Sequence, residues 1–447
     1  MKVILLAAGR SKRLKPIEDK NFLNFLEKPL IEHQIEQLYA AGLRDIILVG
    51  GAHNLEKLKA TAKKIRSARA DFLKIVEQKK LDDGMAGALL AVEKYVKKEP
   101  ILVVSANDIV DQSAYKLIFA AAKDKRFESF LLGKKVNSYF PGGYLKTKNG
   151  RITSIIEKPG AGKEPSNMVN LVVHYHRESA KLFEVLHKTK SSRDDRYEVA
   201  LDTLIKKGFR MKAVPYAGFW KPIKYPWDVL TVMEHFLGGI EKRFPQGRIG
   251  GKKAEVAKSA TIRGTDVYLE DGVRILDNAV IVGPAYIGKN TLVASNTLVR
   301  ESHIGANCVI GFGSEIARSY LGSDVWTHSN YIGDSIIGSD CSFGSGTVMG
   351  NLRLDEGNIL VDIQGEKVDS GRTKFGLIAG DHVRCGINTS FMPGIKIGRN
   401  CFIGAGIVVA QDVPDNQYVY AKTELIMKEN KAQLDNKKRG TLKKKLR

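Results

Sequence analysis

The sequence predicts a mixed α/β domain over residues 1–240, followed by a parallel β-helix over residues 250–425 and a basic tail over residues 426–447. Three observations lead to this fold class. Segments typical of buried strands alternate with amphipathic helices in the first half, and an aliphatic residue recurs every six positions in the second half. In addition, 447 residues are more than one hydrophobic core usually holds.

The first half has the pattern of a parallel sheet that is covered by helices on both faces. We expect strands at residues 3–6, 45–49, 72–76 and 101–104, and helices at residues 28–41, 54–67 and 86–96. Ligands of such sheets bind beyond the carboxyl ends of the strands. The chemistry of this half is therefore expected after Leu6, near Gln78 and at Asp108.

The loop at residues 6–16 is a candidate nucleotide-binding segment. Small residues such as Ala8 and Gly9 let a nucleotide approach the backbone, whose N–H groups can bind phosphate. Arg13 and Lys20 would neutralise the charge of a triphosphate. A glycine in the first loop is weak evidence by itself, because any doubly wound domain can have one.

A period of six in the second half fits neither the 3.6 residues of a helical turn nor a two-residue alternation. It is typical of a solenoid in which each short flat face takes one repeat and glycine turns the corners. A sandwich of glycine-rich strands would instead show regular hairpin turns. The clearest repeat positions are Ile304, Ile310, Ile316, Ile337, Phe343, Ile397, Ile403 and Val409, with a fainter continuation back to about residue 255.

The chain is basic, with a formal net charge of +22. Such an excess suits a protein that binds polyphosphates. The tail from Lys428 onward has nine basic and two acidic residues, so it could bind an anionic surface or simply be solvated. We expect the solvated state and do not expect nucleic acid as a partner.

The sequence favours a cytoplasmic protein. No apolar run has the length that spans a bilayer, and the apolar residues 1–9 are too few for a signal peptide. The four cysteines stand singly in the second half, without a paired CxxC spacing. This pattern favours small buried side chains in a reducing compartment over disulfides or a zinc site.

Residues 1–240 resemble the sugar-1-phosphate nucleotidylyltransferases, which have a Rossmann-like fold. The resemblance depends on an ordered series of motifs at residues 6–16, 27–33, 84–87, 107–108, 156–159 and 226–228. Such enzymes join a sugar 1-phosphate to a nucleoside triphosphate and release pyrophosphate. The resemblance implies catalytic roles for Arg13 and Lys20 and Mg²⁺ on Asp108. It implies nucleotide or sugar binding by Ala8, Gly9, Gln78, Gly84, Gly143, Glu157 and Asn170.

The same region departs from the family pattern at its second magnesium ligand. The carboxylate that precedes the Pro-Trp-Asp motif is replaced by Pro222, which offers no ligand. Lys221 or Lys224 could supply positive charge instead of the metal. Met85 stands where the family reads the base, so the sequence does not identify the nucleotide. Further replacements are Ser11, Lys12 and Asn107.

The second half resembles the acetyltransferase domain of the bifunctional enzymes that make UDP-N-acetylglucosamine, and more closely their archaeal-type relatives. The resemblance depends on the motif at residues 328–335 and on a charged insertion at residues 351–375. It implies a left-handed parallel β-helix that forms a homotrimer and binds acetyl-CoA between coils. Histidine titrates in the range that suits deprotonation of an amino sugar, so His328 is the candidate base.

The resemblance also implies an acceptor site. Tyr331 and Asn351 match residues of the family that bind the amino-sugar 1-phosphate. Two lysines of the family are replaced, one by Gly357 and the other near Ala317, where Arg318 follows and is the candidate substitute. The identity of the acceptor is therefore less well defined than the acetyl transfer.

These features favour a bifunctional enzyme that makes a nucleotide sugar such as UDP-N-acetylglucosamine from a nucleoside triphosphate, a sugar 1-phosphate and acetyl-CoA. Two alternatives remain open at this point. One is an acetyltransferase whose N-terminal domain binds a sugar nucleotide without turnover, as Pro222 suggests. The other is a non-catalytic scaffold of the same layout, against which Arg13, Lys20, Asp108 and His328 together argue.

Overall fold

The structure is a computed structural model that describes residues 1–68, 73–96, 98–244, 253–422, 424–433 and 436–445. The first position of the predicted strand 72–76 and the predicted domain start at residue 250 lie outside these residues. Within the described residues, no helix is long and apolar enough to cross a bilayer.

The N-terminal domain is built on one mixed sheet of nine strands. Their order is 3-2-1-4-8-5-9-7-6, and β1 to β4 run parallel to one another. The strands are β1 (Lys2–Leu6), β2 (Ile46–Gly50), β3 (Leu73–Glu77), β4 (Ile101–Ser105), β5 (Ser129–Lys135), β6 (Gly143–Lys148), β7 (Arg151–Glu157), β8 (Met168–His176) and β9 (Met211–Pro215). All four predicted strands of this half are confirmed within one or two residues.

Helices cover both faces of this sheet, as the alternation of strands and helices predicted. Val3 and Leu5 point into one core, whereas Ile4 and Leu6 point into the other, because successive side chains of a strand alternate. The helices α1, α2 and α4 cover the first face, and α3, α5 and α6 cover the second. The α-helices are α1 (Leu30–Ala40), α2 (Leu55–Ala68), α3 (Gly84–Val92), α4 (Ser113–Ala121), α5 (Ser179–Lys188), α6 (Arg196–Lys206), α7 (Asp228–Leu237), α8 (Ile240–Arg243) and α9 (Asn436–Lys445). Short 3-10 helices lie at Lys12–Leu14, Lys20–Phe22, Leu81–Asp83 and Glu93–Tyr95.

Two short antiparallel pairs complete the domain. Asn24–Phe25 pairs with Lys28–Pro29, and Asp108–Val110 pairs with Trp220–Pro222. The second pair lies directly after β4, at the carboxyl end of the parallel strands. It brings residues near position 222 to the place where ligands of α/β sheets bind.

The C-terminal domain is a parallel β-helix with three flat faces. The first face contains Glu255–Val256, Arg274–Ile275, Leu292–Val293, Val309–Ile310, Trp326–Thr327, Ser342–Phe343, Arg384–Cys385, Phe402–Ile403 and Tyr418–Val419. The second contains Thr261–Arg263, Val280–Val282, Leu298–Arg300, Glu315–Ala317, Tyr331–Gly333, Val348–Met349, Ser390–Phe391 and Val408–Val409. The third contains Val267–Leu269, Ala285–Ile287, His303–Ile304, Tyr320–Leu321, Ile336–Ile337, Ile378–Ala379 and Lys396–Ile397. The repeated aliphatic side chains stack inside the coil and are buried, as predicted.

The glycines that follow the repeat positions have a different role from the predicted one. A Cβ on Gly288 or Gly305 would lie 2.5 Å from a backbone carbon of the next coil. These glycines therefore allow adjacent coils to approach each other. Much of the turning with positive φ is instead done by asparagine, such as Asn290 (φ 58°) and Asn307 (φ 55°).

The charged insertion at residues 351–375 contains a hairpin, Leu360–Ile363 with Glu366–Asp369, and packs against the N-terminal domain. Phe375 is buried near Trp227, with their ring centres 6.4 Å apart. Arg372 donates hydrogen bonds to Thr231 and Glu234 of α7. The insertion thus joins the two domains.

A ladder of stacked rings on the third face of the β-helix forms another part of the domain interface. Tyr286, His303 and Tyr320 stack with ring centres 5.1 Å apart, and Phe25 of the N-terminal domain contacts this ladder. His303 Nε2 accepts a hydrogen bond from Leu26 N–H at 3.1 Å. The imidazole is therefore held in its neutral form at this position.

The buried imidazole of His303 makes the free energy of unfolding depend on pH in the acid range. Burial lowers the pKa of His303 to about 4 from its ordinary value of 6.5. Above pH 6.5 the ring is neutral whether the chain is folded or unfolded, but between pH 6.5 and 4 the unfolded chain takes up a proton that the folded chain excludes. Stability is therefore lost as the pH falls through this window, by about 3 kcal/mol at this site.

We expect the His303→Phe substitution to lower the melting temperature at pH 7, since the Leu26 N–H loses its acceptor. The further fall in melting temperature between pH 6.5 and 4.5 should be smaller than in the wild type. Scanning calorimetry across this range measures both effects, with His187→Phe at an exposed position as the control. An equal acid dependence of His303→Phe and wild type would contradict the assignment.

Candidate active sites

The first loop of the N-terminal domain is fixed by a buried polar cluster. Asn21 Nδ2 and Asn54 Nδ2 donate to the carbonyl oxygen of Ala7 at 3.1 and 2.9 Å. Both amides also donate to the Asp19 carboxylate. This cluster explains how the loop that contains Ala8 and Gly9 keeps one shape while its small residues stay open to a ligand.

Arg13 and Lys20 lie beside the segment that follows Pro222. The guanidinium carbon of Arg13 is 5.4 Å from the centre of the Tyr225 ring. Lys20 Nζ donates to the carbonyl oxygen of Ile223 at 3.1 Å. Burial lowers the pKa of Lys20 to about 8, and the nearby Asp108 carboxylate partly opposes this shift. The structure thus brings together the two predicted catalytic cations.

Asp108 is buried at the end of the parallel strands. Trp220 Nε1 donates to one carboxylate oxygen and Val172 N–H to the other, both at 3.3 Å. Burial raises the pKa of this carboxyl group, and the Lys224 ammonium opposes that rise. Pro222 is the register partner of Asp108 in the short antiparallel pair, so the two positions face each other.

The two candidate replacement lysines have different surroundings. Lys221 Nζ forms an ion pair with Asp228 at 2.7 Å. Lys224 Nζ instead donates to the carbonyl oxygen of Pro141 at 2.7 Å and lies 4.0 Å from the centre of the Phe140 ring. Burial lowers the pKa of Lys224 to about 8, and Asp108 is the strongest opposing charge. Lys224 is therefore the lysine that belongs to this pocket.

The three predicted sugar-binding residues also come together. Gly143 pairs with Glu157, and a Cβ on Gly143 would lie 2.9 Å from Glu157 Oε2 and 3.5 Å from Asn170 Cβ. Burial raises the pKa of Glu157. The missing side chain of Gly143 thus leaves room between a carboxylate and an amide, which can both bind sugar hydroxyls.

A buried chain of hydrogen bonds orients Asn170. Ser129 Oγ donates to His176 Nδ1, and His176 Nε2 donates to Tyr197 at 2.9 Å. Tyr197 in turn donates to His174 Nδ1, and His174 Nε2 donates to Asn170 Oδ1 at 2.9 Å. Both histidines are buried. They direct the amide nitrogen of Asn170 toward Gly143.

Sequence reasoning missed Glu198. This residue of α6 is buried, and its pKa is raised to about 8 by burial and by the nearby Glu157 carboxylate. A glutamate at helical spacing with Leu201 and Ile205 on an apolar face is the signal that could have indicated it. A protonated Glu198 adds a hydrogen-bond donor near the sugar-binding residues.

Gln78 and Gly84, which the resemblance assigns to nucleotide or sugar binding, contact each other. Gln78 Nε2 donates to the carbonyl oxygens of Gly84 and Lys80, both at 2.9 Å. Gly84 begins α3 with φ 55°, and a Cβ there would overlap the Asp194 carboxylate. These contacts fix the segment between β3 and α3.

His328 is exposed on the β-helix. It lies in the turn between Trp326–Thr327 and Tyr331–Gly333. The backbone N–H of His328 donates to Asn330 Oδ1 at 2.6 Å, and Asn330 Nδ2 donates to the carbonyl oxygen of Gly344 in the next coil at 2.9 Å. The backbone of the turn is thus fixed, while the imidazole faces solvent and can reach a substrate.

The predicted acceptor residues gather around Asp334, which sequence reasoning left without a role. Arg318 donates two hydrogen bonds of 2.7 Å to the Asp334 carboxylate. Asn351 Nδ2 donates to Asp334 at 2.6 Å and to the Tyr331 hydroxyl at 3.0 Å. We call Arg318, Tyr331, Asp334 and Asn351 the acceptor cluster.

His328 and the acceptor cluster lie at different corners of the coil. His328 precedes the strand Tyr331–Gly333, whereas Asp334 follows it. A strand advances about 3.3 Å per residue, so the two corners are on the order of 15 Å apart. One protomer therefore does not bring the candidate base next to this cluster.

Comparison with known proteins agrees with both halves. Residues 2–231 match the nucleotidyl transferase family model. The chain is 31% identical over 453 residues to the bifunctional protein GlmU of Methanocaldococcus jannaschii, covering 96% of this chain and 100% of that protein. It is 32% identical over 424 residues to the bifunctional sugar-1-phosphate nucleotidylyltransferase/acetyltransferase of Sulfurisphaera tokodaii, covering 92% and 98%. The chain belongs to this bifunctional nucleotidylyltransferase/acetyltransferase family.

Membership in the bifunctional nucleotidylyltransferase/acetyltransferase family confirms the predicted fold class, a Rossmann-like nucleotidyltransferase domain followed by a left-handed β-helix of hexapeptide repeats. It also confirms the predicted enzyme class. The roles of the individual site residues stay predictions. We call the group of Arg13, Lys20, Asp108 and Lys224 the phosphate pocket and the group of Gly143, Glu157 and Asn170 the sugar pocket. His328 lies apart from both pockets and from the acceptor cluster.

The residues at Asp108 do not fit the magnesium site that family membership implies. Asp108 is a single carboxylate whose oxygens both accept hydrogen bonds, and it faces Pro222. Mg²⁺ prefers oxygen ligands, yet the charged groups closest in this pocket are the ammonium groups of Lys20 and Lys224. Among the residues that the structure describes, no group of three or more His, Cys, Asp and Glu side chains is placed to hold a metal.

Proposed function

We propose that this protein transfers an acetyl group from acetyl-CoA to an amino-sugar 1-phosphate and a nucleotidyl group from a nucleoside triphosphate, preferably UTP, to the resulting sugar 1-phosphate. The product is a nucleotide sugar such as UDP-N-acetylglucosamine. The observation that supports this best is that a cationic pocket at Lys20 adjoins the Gly143, Glu157 and Asn170 group, while His328 is exposed on the same chain.

In the N-terminal domain, an oxygen of the sugar 1-phosphate attacks the α-phosphorus of the nucleoside triphosphate. A new P–O bond forms, the bond from the α-phosphorus to the bridging oxygen breaks, and pyrophosphate leaves. Catalysis of such transfers is mainly positioning and charge neutralisation. Arg13 and Lys20 would stabilise the charge on the phosphates, and Gly143, Glu157 and Asn170 would position the sugar.

In the C-terminal domain, the amine nitrogen of the amino sugar attacks the thioester carbon of acetyl-CoA. His328 takes the proton of the amine as the C–N bond forms. The C–S bond then breaks, and the imidazolium gives this proton to the sulfur of the departing coenzyme A. The acceptor cluster would bind the sugar phosphate through Arg318 and Tyr331. Asp334 would hold the guanidinium of Arg318 in place.

We propose that a homotrimer completes this second site. The corner that carries His328 is flanked by exposed apolar side chains of the first two faces. They include Phe312, Trp326, Val348, Ile387, Phe402 and Val408. Such a stripe favours a protein contact, and a neighbouring protomer could place its own acceptor cluster opposite His328. A cytoplasmic location, with substrates that are soluble metabolites, agrees with this proposal.

The full reaction tests the proposal. Purified protein is incubated with glucosamine 1-phosphate, acetyl-CoA and UTP, and the products are identified by mass spectrometry. We expect free coenzyme A, pyrophosphate and UDP-N-acetylglucosamine, with N-acetylglucosamine 1-phosphate as the intermediate. Omission of UTP should stop the reaction at the acetylated sugar phosphate. Release of coenzyme A without any nucleotide sugar from a panel of nucleoside triphosphates and sugar 1-phosphates would contradict the first half of the proposal.

A further inference from the structure

Two changes from the family pattern lie at the same place in the phosphate pocket. Pro222 stands where the family has its second metal carboxylate, and Lys224 lies two residues further along. Pro222 faces Asp108 in register, so the missing carboxylate would have pointed at the remaining one. Lys224 extends from the same segment and interacts electrostatically with Asp108.

The ammonium groups of the pocket form no close ion pair, although the carboxylates of Asp108 and Glu157 act on Lys224 from farther away. Lys20 and Lys224 are half-buried, and among the described residues no carboxylate forms an ion pair with either ammonium group, whose hydrogen bonds go to backbone carbonyls. The guanidinium of Arg13 adds a third positive charge, which repels both ammonium groups. Buried charges without close partners are costly, and proteins retain them where a ligand supplies the partner. The ligand of this pocket is therefore an anion.

Lys224 is placed where the phosphate pocket meets the sugar pocket. Its Nζ is held by Pro141 O at 2.7 Å and lies 3.6 Å from the point that a Cβ on Gly142 would occupy. Gly142 precedes the Gly143 of the sugar-binding group. The carboxylates of Asp108 and Glu157 also act electrostatically on this ammonium group. A phosphate bound between these two pockets would contact Lys224 directly.

We propose that the Lys224 ammonium takes the place of the family's metal ion, so that the N-terminal pocket binds nucleoside triphosphates and nucleotide sugars without a divalent cation. This inference rests on the proposed nucleotidyl function. Lys224 adds one positive charge to those of Arg13 and Lys20, which the family pattern already contains, and its N–H groups can donate to phosphate oxygens. Both ammonium groups are held by backbone carbonyls, which positions them before the ligand binds.

Calorimetric titration of the full-length protein with UTP and with UDP-N-acetylglucosamine tests this inference. Each titration is done in excess EDTA and in excess MgCl₂. We expect the affinity of the wild type to differ by less than about threefold between the two conditions. The Pro222→Asp/Lys224→Gly double variant, which restores a carboxylate and removes the ammonium, should bind at least about tenfold more tightly with Mg²⁺ than in EDTA. Lys221→Ala is the matched control, because its ammonium pairs with Asp228, and should retain the wild-type behaviour.

The outcomes separate this inference from the proposed function. If the wild type binds tenfold or more tightly with Mg²⁺ than in EDTA, the inference is overturned. If that protein still releases pyrophosphate, the proposed nucleotidyl function stands. Equal binding in EDTA and Mg²⁺ without pyrophosphate release would support the inference and contradict nucleotidyl transfer. Absence of binding under both conditions would overturn both. The wild-type comparison alone decides the matter if the double variant does not fold.

Discussion

The His328→Ala variant is expected to lose acetyl transfer almost completely while it retains pyrophosphate release. An amino sugar is protonated near neutral pH and cannot attack a thioester until it loses a proton. Removal of a positioned general base typically lowers the rate by about 10²–10⁴-fold. Since His328 is exposed and its backbone turn is held by Asn330, the substitution should not disturb the coil.

The two activities of His328→Ala are measured separately, coenzyme A release with a thiol reagent and pyrophosphate release with a coupled enzyme. His382→Ala is the matched control, because His382 is another exposed histidine on a turn of the β-helix. It should keep both activities. Loss of both activities in His328→Ala would indicate a structural role, and unchanged coenzyme A release would show that another group takes the proton.

The fold could be predicted from the sequence because both domains repeat a simple physical pattern. In the β-helix, each face directs one large apolar side chain inward, which produces the period of six at residues such as Ile304 and Ile310. The role of glycine was predicted less well. Gly305 is needed because the next coil lies too close for a Cβ, and the contact between coils is visible only in three dimensions.

The contacts between domains could not be predicted, because they join residues that are far apart in the chain. The hydrogen bond from Leu26 to His303 and the packing of Phe375 near Trp227 leave no periodic signal. The charged insertion at residues 351–375 is a further example, because its apolar side chains pack at the interface.

The phosphate and sugar pockets were predicted through ordered motifs, and the structure brings those motifs together. What the motifs could not show is how the residues are oriented. Asn170 is directed by histidines that carry no motif, and Asp334 holds Arg318 although the sequence suggested no role for it. The choice between Lys221 and Lys224 also required the structure, since only the ion pair with Asp228 removes Lys221 from the pocket.

Lys20→Met is expected to lower kcat/KM for pyrophosphate release by about 10²–10³-fold, the effect of removing one preorganised donor from a developing charge. Methionine has a similar length but no charge, so it keeps the packing and removes the ammonium that the phosphates require. Because a buried ammonium costs stability and a buried thioether does not, the melting temperature should change little even though Ile223 O loses its donor.

Lys59→Met, at an exposed position of α2, is the control and should keep full activity. Acetyl transfer should be unchanged in both variants, since His328 belongs to the other domain. Normal pyrophosphate release in Lys20→Met would show that Arg13 and Lys224 neutralise the phosphates without Lys20. Loss of acetyl transfer together with pyrophosphate release would show that the loop at Lys20 stabilises the fold of the whole chain and is not specific to one reaction.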